Sequence, residues 1–309
     1  MSETPVLEPL NIKGDCRIAD LSETDRNRLT SVGGSLYARD STALTLPALT
    51  SVSGFLDAKN STNLTLPLLT SVGSNLDADN STNLTLPLLT SVGGTLRAVN
   101  STALTLPALE RVGDDLRAIN TTDLTLPSLT SVGGLLSARD STGLTLPALE
   151  SVGAYLNAEN STNLTLPALK SCSRYLEARN TTDLSLPALT RVGGYLDAED
   201  STGLTLPSLE RVSGDLYASN STGLTLPSLA SVGGNLYARE STDLSLSALE
   251  SVGGTLSARN STGLVVPAAI ARKHRTPTKY LAAVPEQSHT EKALSELQND
   301  NESLNQGIK

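Results

Sequence analysis

The side chains that carry most enzymatic chemistry are scarce in this sequence. Only two histidines occur, His274 and His289, and both follow the last regular segment. The two cysteines, Cys16 and Cys172, are too far apart in sequence to form a metal motif or a disulfide framework. Glycines recur as Val-Gly-Gly turns. No segment matches the phosphate loop G-x-x-x-x-G-K-[ST] or the calcium repeat G-G-x-G-x-D. Carboxylates are the remaining source of acid–base chemistry. Glu177 and Asp197 occupy equivalent places in successive repeats of the sequence, so stacked repeats would place them side by side. With Arg179 and Glu199 close in sequence, the pair reads as a solvated charged face. No catalytic residue, cofactor or metal ligand is therefore expected, and the chain is not expected to be an enzyme.

A single period governs the chain. From Ser31 onward the sequence divides into twelve blocks of 20 without insertion, from SVGGSLYARDSTALTLPALT to SVGGTLSARNSTGLVVPAAI at 251–270. A fixed period of this length marks a solenoid. Inside a block the pattern has period two. Leu36 and Ala38 alternate with Ser35, Tyr37 and Arg39; Thr42, Leu44 and Leu46 alternate with Ser41, Ala43 and Thr45. Alternation of this kind predicts strands with one buried face. The expected inward set is Leu36, Ala38, Thr42, Leu44, Leu46, Leu49 and Val52, with Ser41 and Thr45 outward. Gly33 and Gly34 would supply permissive backbone. Asp40, which is Asn in most blocks, would hydrogen-bond its local backbone. Pro47 would end a strand. Pro and Gly in nearly every block exclude a helical repeat. The expected fold is all-β: a parallel, right-handed β-solenoid of about twelve three-sided coils, about 4.8 Å apart, in a rod of about 58 Å. Each coil is stabilised by its neighbours, so the ends need caps.

Three regions follow. Residues 1–30 form an N-terminal cap with a degenerate first coil, because Cys16, Ile18 and Leu29 fall one period before Leu36, Ala38 and Leu49. The charged stretch from Ser22 to Arg26 would blunt the open edge. The same register makes Cys16 and Cys172 buried thiols. Residues 31–270 are the solenoid. Residues 271–309 form a C-terminal cap or tail, helical or disordered, with a short helix expected over 288–306. There Leu294, Leu297 and Leu304 fit a coiled-coil seam and Asn301 an a position, enough for weak self-association. Arg272-Lys273-His274-Arg275 reads as a solvated linker, and sequon-like strings such as Asn60-Ser61-Thr62 as turn chemistry.

The formal net charge is −9. Acidity opposes binding to a polyphosphate backbone, which needs clustered Lys and Arg. Nucleic acid is therefore not an expected partner. An acidic nucleic-acid mimic is an alternative function; it would need carboxylates in a phosphate-like line, whereas here they alternate with arginines. The first residues carry no basic, apolar leader, and no apolar run of about 18 residues occurs. A cytoplasmic location without membrane contact is expected.

Outward positions are where a partner could be read. One column contains Tyr155, Tyr175 and Tyr195; the next contains Glu177, Asp197, Tyr217 and Tyr237; the third contains Arg179, Glu199 and Arg239. Exposed Tyr among Arg and acids is interface composition, although stacked Tyr also stabilise neighbouring strands. Val99 and Ile119, beside Arg97 and Arg117, form a weaker candidate. A hydroxyl ladder is the alternative: Thr45, Thr65, Thr85, Thr105, Thr125, Thr145, Thr165, Ser185, Thr205 and Thr225, flanked by the Ser41 column. Such an array could match ice or a glycan lattice, while Thr also simply suits an exposed strand.

The string L-x-L-P-x-L-x-x-V-G-G-x-L-x-A, carried by Leu44-Thr45-Leu46-Pro47 through Ser51-Val52 and onward, resembles the leucine-rich, receptor-L-domain-type repeat over residues 31–266. The resemblance implies a β-helix or leucine-rich-repeat-like solenoid with a protein- or ligand-binding surface and no catalytic residues. The common consensus L-x-x-L-x-L-x-x-N-x-L is not met, so a helix-backed horseshoe is not expected.

Overall fold

The computed structural model describes residues 8–275. It is a stack of coils with two parallel sheets of 13 strands each and a third face of isolated bridges. The first sheet begins with β1 (Leu10–Ile12) and contains β3 (Leu29–Val32), followed by two-residue strands from Ser51–Val52 to Ser251–Val252. The second begins with β2 (Cys16–Arg17) and contains β4 (Leu36–Tyr37), then continues from Leu56–Asp57 to Leu256–Ser257. Within the repeats each strand pairs with its equivalent one period away, as Val52 with Val72 and Leu196 with Leu216. Identical residues therefore lie above one another, which is how a short apolar set builds a continuous core. Leu36, Ala38, Leu46, Leu49 and Val52 are buried, as are their equivalents in the coils that follow, except the exposed Ala269 in the last block.

One expected inward position is wrong. Thr42 is exposed, and its neighbour at position 41 turns inward instead. Ser61, Ser81, Ser101, Thr121, Ser141, Ser161, Thr181, Ser201, Ser221, Ser241 and Ser261 are all buried. The cause is backbone handedness. Asp40 (φ 57°) and Ala43 (φ 51°) are both left-handed, as are Asn60 (φ 57°) and Asn63 (φ 55°), so strand alternation does not carry through this corner. Asn, Asp and Gly tolerate that region best, which accounts for the Asn/Asp column at 40 and the many Asn, Asp and Gly residues at 43. The inward hydroxyls are not orphaned. Ser41 donates to the Ala38 carbonyl at 2.6 Å, and Ser81 to the Ala58 carbonyl at 2.7 Å.

The Asn column also differs from expectation. Its side chains bond from coil to coil: Asn60 Nδ2 donates to Asp40 Oδ1 at 2.9 Å, and Asn120 Nδ2 to Asn100 Oδ1 at 2.8 Å. The Val-Gly-Gly glycine is required for a reason other than flexibility. A Cβ on Gly153 would collide with the carbonyl oxygen of Gly133 on the coil below.

The first coil keeps the repeat register, with Cys16 opposite Leu36 and Ile18 and Leu29 buried. Its third side is not a strand. A 3-10 turn (Ile18–Asp20) and α1 (Glu23–Arg28) run there instead. The charged stretch from Ser22 thus becomes a capped helix, Ser22 Oγ accepting from the Asp25 N–H at 3.1 Å. At the far end α2 (Ala268–Lys273) buries Ile270 and Ala271 against the core. The segment 288–306 lies outside the described residues.

The third face is interrupted once. Its bridges run from Thr42 to Thr102 in one column and from Thr45 to Thr105 in the other, then resume at Thr122 and Thr125. Both sheets are continuous across the same place, where Leu96 pairs with Leu116 and Ser91 with Arg111. A cavity of about 380 Å³ opens at the break, lined in part by Leu104 and Leu124.

Candidate functional site

The outward face of the second sheet holds the candidate site. On each of its strands the inward Leu and Ala anchor the backbone in the core, and the residues between them must point out. Because the register is the same from coil to coil, outward side chains of successive coils lie within reach of one another.

The five expected tyrosines form one run. Tyr155 and Tyr175 have ring centroids 5.0 Å apart. Tyr175 and Tyr195 stack at 4.6 Å with an interplanar angle of 8°. Tyr195 then meets Tyr217 edge-on at 6.1 Å, and Tyr217 stacks on Tyr237 at 5.2 Å. The run therefore crosses from one outward column to the next between Tyr195 and Tyr217. All five rings are partly exposed.

Charged partners orient the rings. The Tyr195 hydroxyl donates to Glu177 Oε1 at 2.6 Å, while Asn157 Nδ2 donates to Glu177 Oε2 at 2.6 Å. The Tyr217 hydroxyl donates to Asp215 Oδ2 at 3.0 Å. Burial, then the Glu177 hydrogen bond, push the Tyr195 phenol above its ordinary range. The hydrogen bond to Asp215 does the same for Tyr217. Glu177 and Asp197 are register partners on adjacent strands. Burial raises the Asp197 carboxyl, and burial with the nearby Asp197 raises Glu199. Arg179 lies 3.6 Å from Glu199 and 3.4 Å from Asp200. Tyr155, Tyr175, Tyr195, Tyr217, Tyr237, Glu177, Asp197 and Arg179 thus share one face.

The other half of this face is ionic, which the sequence reading did not single out. Asp57 is fully buried and accepts from Arg39 Nε at 2.6 Å. Buried Asp79 accepts from Arg97 Nε at 3.0 Å, and Arg117 pairs with Asp115 at 3.0 Å. The opposite-sign order Asp57, Asp77, Arg97, Arg117 down one outward column was the available signal. Tyr37 and Phe55 also meet edge-on, at 6.4 Å. Val99 and Ile119 are half-buried on the two coils flanking the break in the third face. Leu68 and Leu88, 44% and 46% exposed, form a small apolar pair, visible in sequence where Pro-Leu-Leu replaces Pro-Ala-Leu.

The hydroxyl ladder lies on the third face. Thr45, Thr105, Thr125, Thr165, Thr205 and Thr225 are exposed, and Thr65, Thr85, Thr145 and Ser185 partly so. Its companion column is Thr42 and its equivalents, not Ser41, whose equivalents are buried. Cys16 and Cys172 are free, buried thiols; burial pushes Cys172 up to about 12. Among the described residues no group of three or more His, Cys, Asp or Glu could hold a metal ion, and no helix is long and apolar enough to cross a membrane.

Architecture and period define the class: a tandem-repeat β-solenoid with one coil per sequence block. No family model, curated protein or solved structure matches the chain.

Proposed function

We propose that the chain is a cytoplasmic, non-enzymatic scaffold that binds a protein partner on the outward face of the second sheet, centred on the tyrosine run. The carrying observation is the continuous, partly exposed stack from Tyr155 to Tyr237. Tyrosine offers large contact area at low entropic cost, and pre-stacked rings lose little further freedom on binding. Glu177 and Asp215 hold two of the hydroxyls, so the face is organised before a partner arrives. The resemblance to receptor-L-domain-type repeats supports the same use by analogy. The test is an affinity pull-down from host lysate with the intact chain beside Tyr175→Ala/Tyr195→Ala. A partner retained by the intact chain and lost by the folded double variant is expected. Equal retention by both refutes this face.

A second reading rests on one observation. Position 42, exposed in most coils, is Thr in all twelve blocks. On this reading the paired Thr columns meet a periodic solid, ice or a crystalline glycan. Inhibition of ice recrystallisation, or co-sedimentation with an insoluble glycan, abolished by Thr142→Lys/Thr162→Lys, is its expected result.

A further inference from the structure

The N-terminal end of the third face is built differently from the interior coils. In interior coils the Thr42-type and Thr45-type residues direct their main-chain groups toward the preceding coil. Thr62 N–H donates to the Ser41 carbonyl at 2.8 Å, and the Thr62 carbonyl accepts from Ala43 N–H at 2.8 Å. Thr65 N–H donates to the Leu44 carbonyl at 2.9 Å, and its carbonyl accepts from Leu46 N–H at 3.2 Å. Thr42 and Thr45 face the same way, but the coil before them supplies no strand there. The chain runs instead through the 3-10 turn and α1. An N–H and a carbonyl from each threonine therefore border an open cleft of about 910 Å³.

The cleft is strongly marked by guanidinium groups. Arg17, Arg26 and Arg39 line it, with Tyr37, against the carboxylates of Glu23 and Asp40. Two of the arginines are held in place: Arg26 Nε donates to the Ile18 carbonyl at 3.2 Å, and Arg39 Nε to Asp57 at 2.6 Å. Arg17 is exposed. Asp57 meets the charge of Arg39, so Arg17 and Arg26 are the guanidinium groups left to meet a ligand. The opposite end of the rod differs, because α2 packs Ile270 and Ala271 onto the core there.

We propose that this cleft receives an extended acidic segment of another protein, which adds a strand to the third face beside Thr42 and Thr45. An open sheet edge recognises main chain by hydrogen bonding, and flanking side chains set specificity. Arginines select carboxylates through charge-assisted hydrogen bonds. The site is separate from the tyrosine face and does not depend on it.

Fluorescence anisotropy of the full chain with a labelled acetyl-Glu-Val-Glu-Val-Glu-Val-amide peptide tests this. Saturable binding is expected, weakened about tenfold when alternate peptide nitrogens are methylated and about tenfold by Arg17→Glu. The Lys-Val counterpart should bind the intact chain no better than the methylated peptide. Equal binding of the Lys-Val peptide, or no effect of N-methylation, overturns the proposal. So does self-association by sedimentation that Arg17→Glu dissolves, which would assign the cleft to a second copy. Should Arg17→Glu fail to fold, the peptide series on the intact chain remains decisive.

Discussion

The break in the third face should divide the rod into two units of unequal coupling. At the next boundary the four bonds are Thr142 N–H to Thr121 O, Asp123 N–H to Thr142 O, Thr145 N–H to Leu124 O and Leu126 N–H to Thr145 O. The corresponding bridges are missing between Thr102 and Thr122 and between Thr105 and Thr125. At about 0.5–1.5 kcal/mol each, four bonds weaken this interface by roughly 2–6 kcal/mol. Solenoid stability is a nearest-neighbour sum, so a deficit of that size sits at one boundary. Hydrogen exchange measured by NMR reads it directly. The amides of Ala103, Leu106, Thr122 and Thr125 should exchange at least about 30-fold faster than those of Asp123, Leu126, Thr142 and Thr145. A cavity mutation then amplifies the effect. Leu116 and Leu196 are both 0% exposed, and only Leu116 belongs to a coil flanking the break. Each Leu→Ala change costs about 2–5 kcal/mol. Leu116→Ala should split urea unfolding into two transitions, while Leu196→Ala should leave the boundary at Leu116 unaffected. Equal protection across both sets of amides, with one shared transition in both variants, would refute the reasoning.

Gly153→Ala should destabilise the stack by at least about 1–3 kcal/mol, because its Cβ meets a backbone carbonyl that cannot swing away; thermal melts check this. Arg39→Ala leaves the buried Asp57 carboxylate with only the Lys59 N–H, so the urea midpoint should fall, and Arg39→Ala/Asp57→Asn should recover most of the loss. The Cys172 thiol ionises less readily folded than unfolded, so its contribution is complete below about pH 8.5 and declines as pH rises toward about 12. Cys172→Val, which restores the residue typical of that column, should become increasingly more stable than the parent above about pH 8.5, and the native thiol should react slowly with thiol reagents.

Much of this was legible because identical blocks average out local ambiguity. The alternation at Leu36 and Ala38 defined one strand and its outward columns, so the tyrosines could be placed on a shared face from spacing alone. The Cys16 register defined the first coil in the same way. The corner at Asp40 was not legible, because alternation assumes extended backbone, and two left-handed residues there exchanged Ser41 with Thr42. The replacement of a third-face strand by α1 was hidden for a related reason. Ser22 and Asp25 fit a charged edge as well as a capped helix turn, and only the contacts of the first coil distinguish them.

The amino-acid sequence by itself determined the period, the parallel stacking of like on like, and the inward Leu, Ala and Val set, because each of these follows from periodicity and burial. Tertiary structure alone decided three other things. It set the angles at which the rings meet, stacked at Tyr175–Tyr195 and edge-on at Tyr195–Tyr217, since these depend on packing and on the hydroxyl bonds to Glu177 and Asp215. It set the break between Thr102 and Thr122, where two near-identical blocks meet without their bridges. It also set the cleft at Thr42 and Thr45, because an unpaired strand edge is a property of what fails to lie beside it.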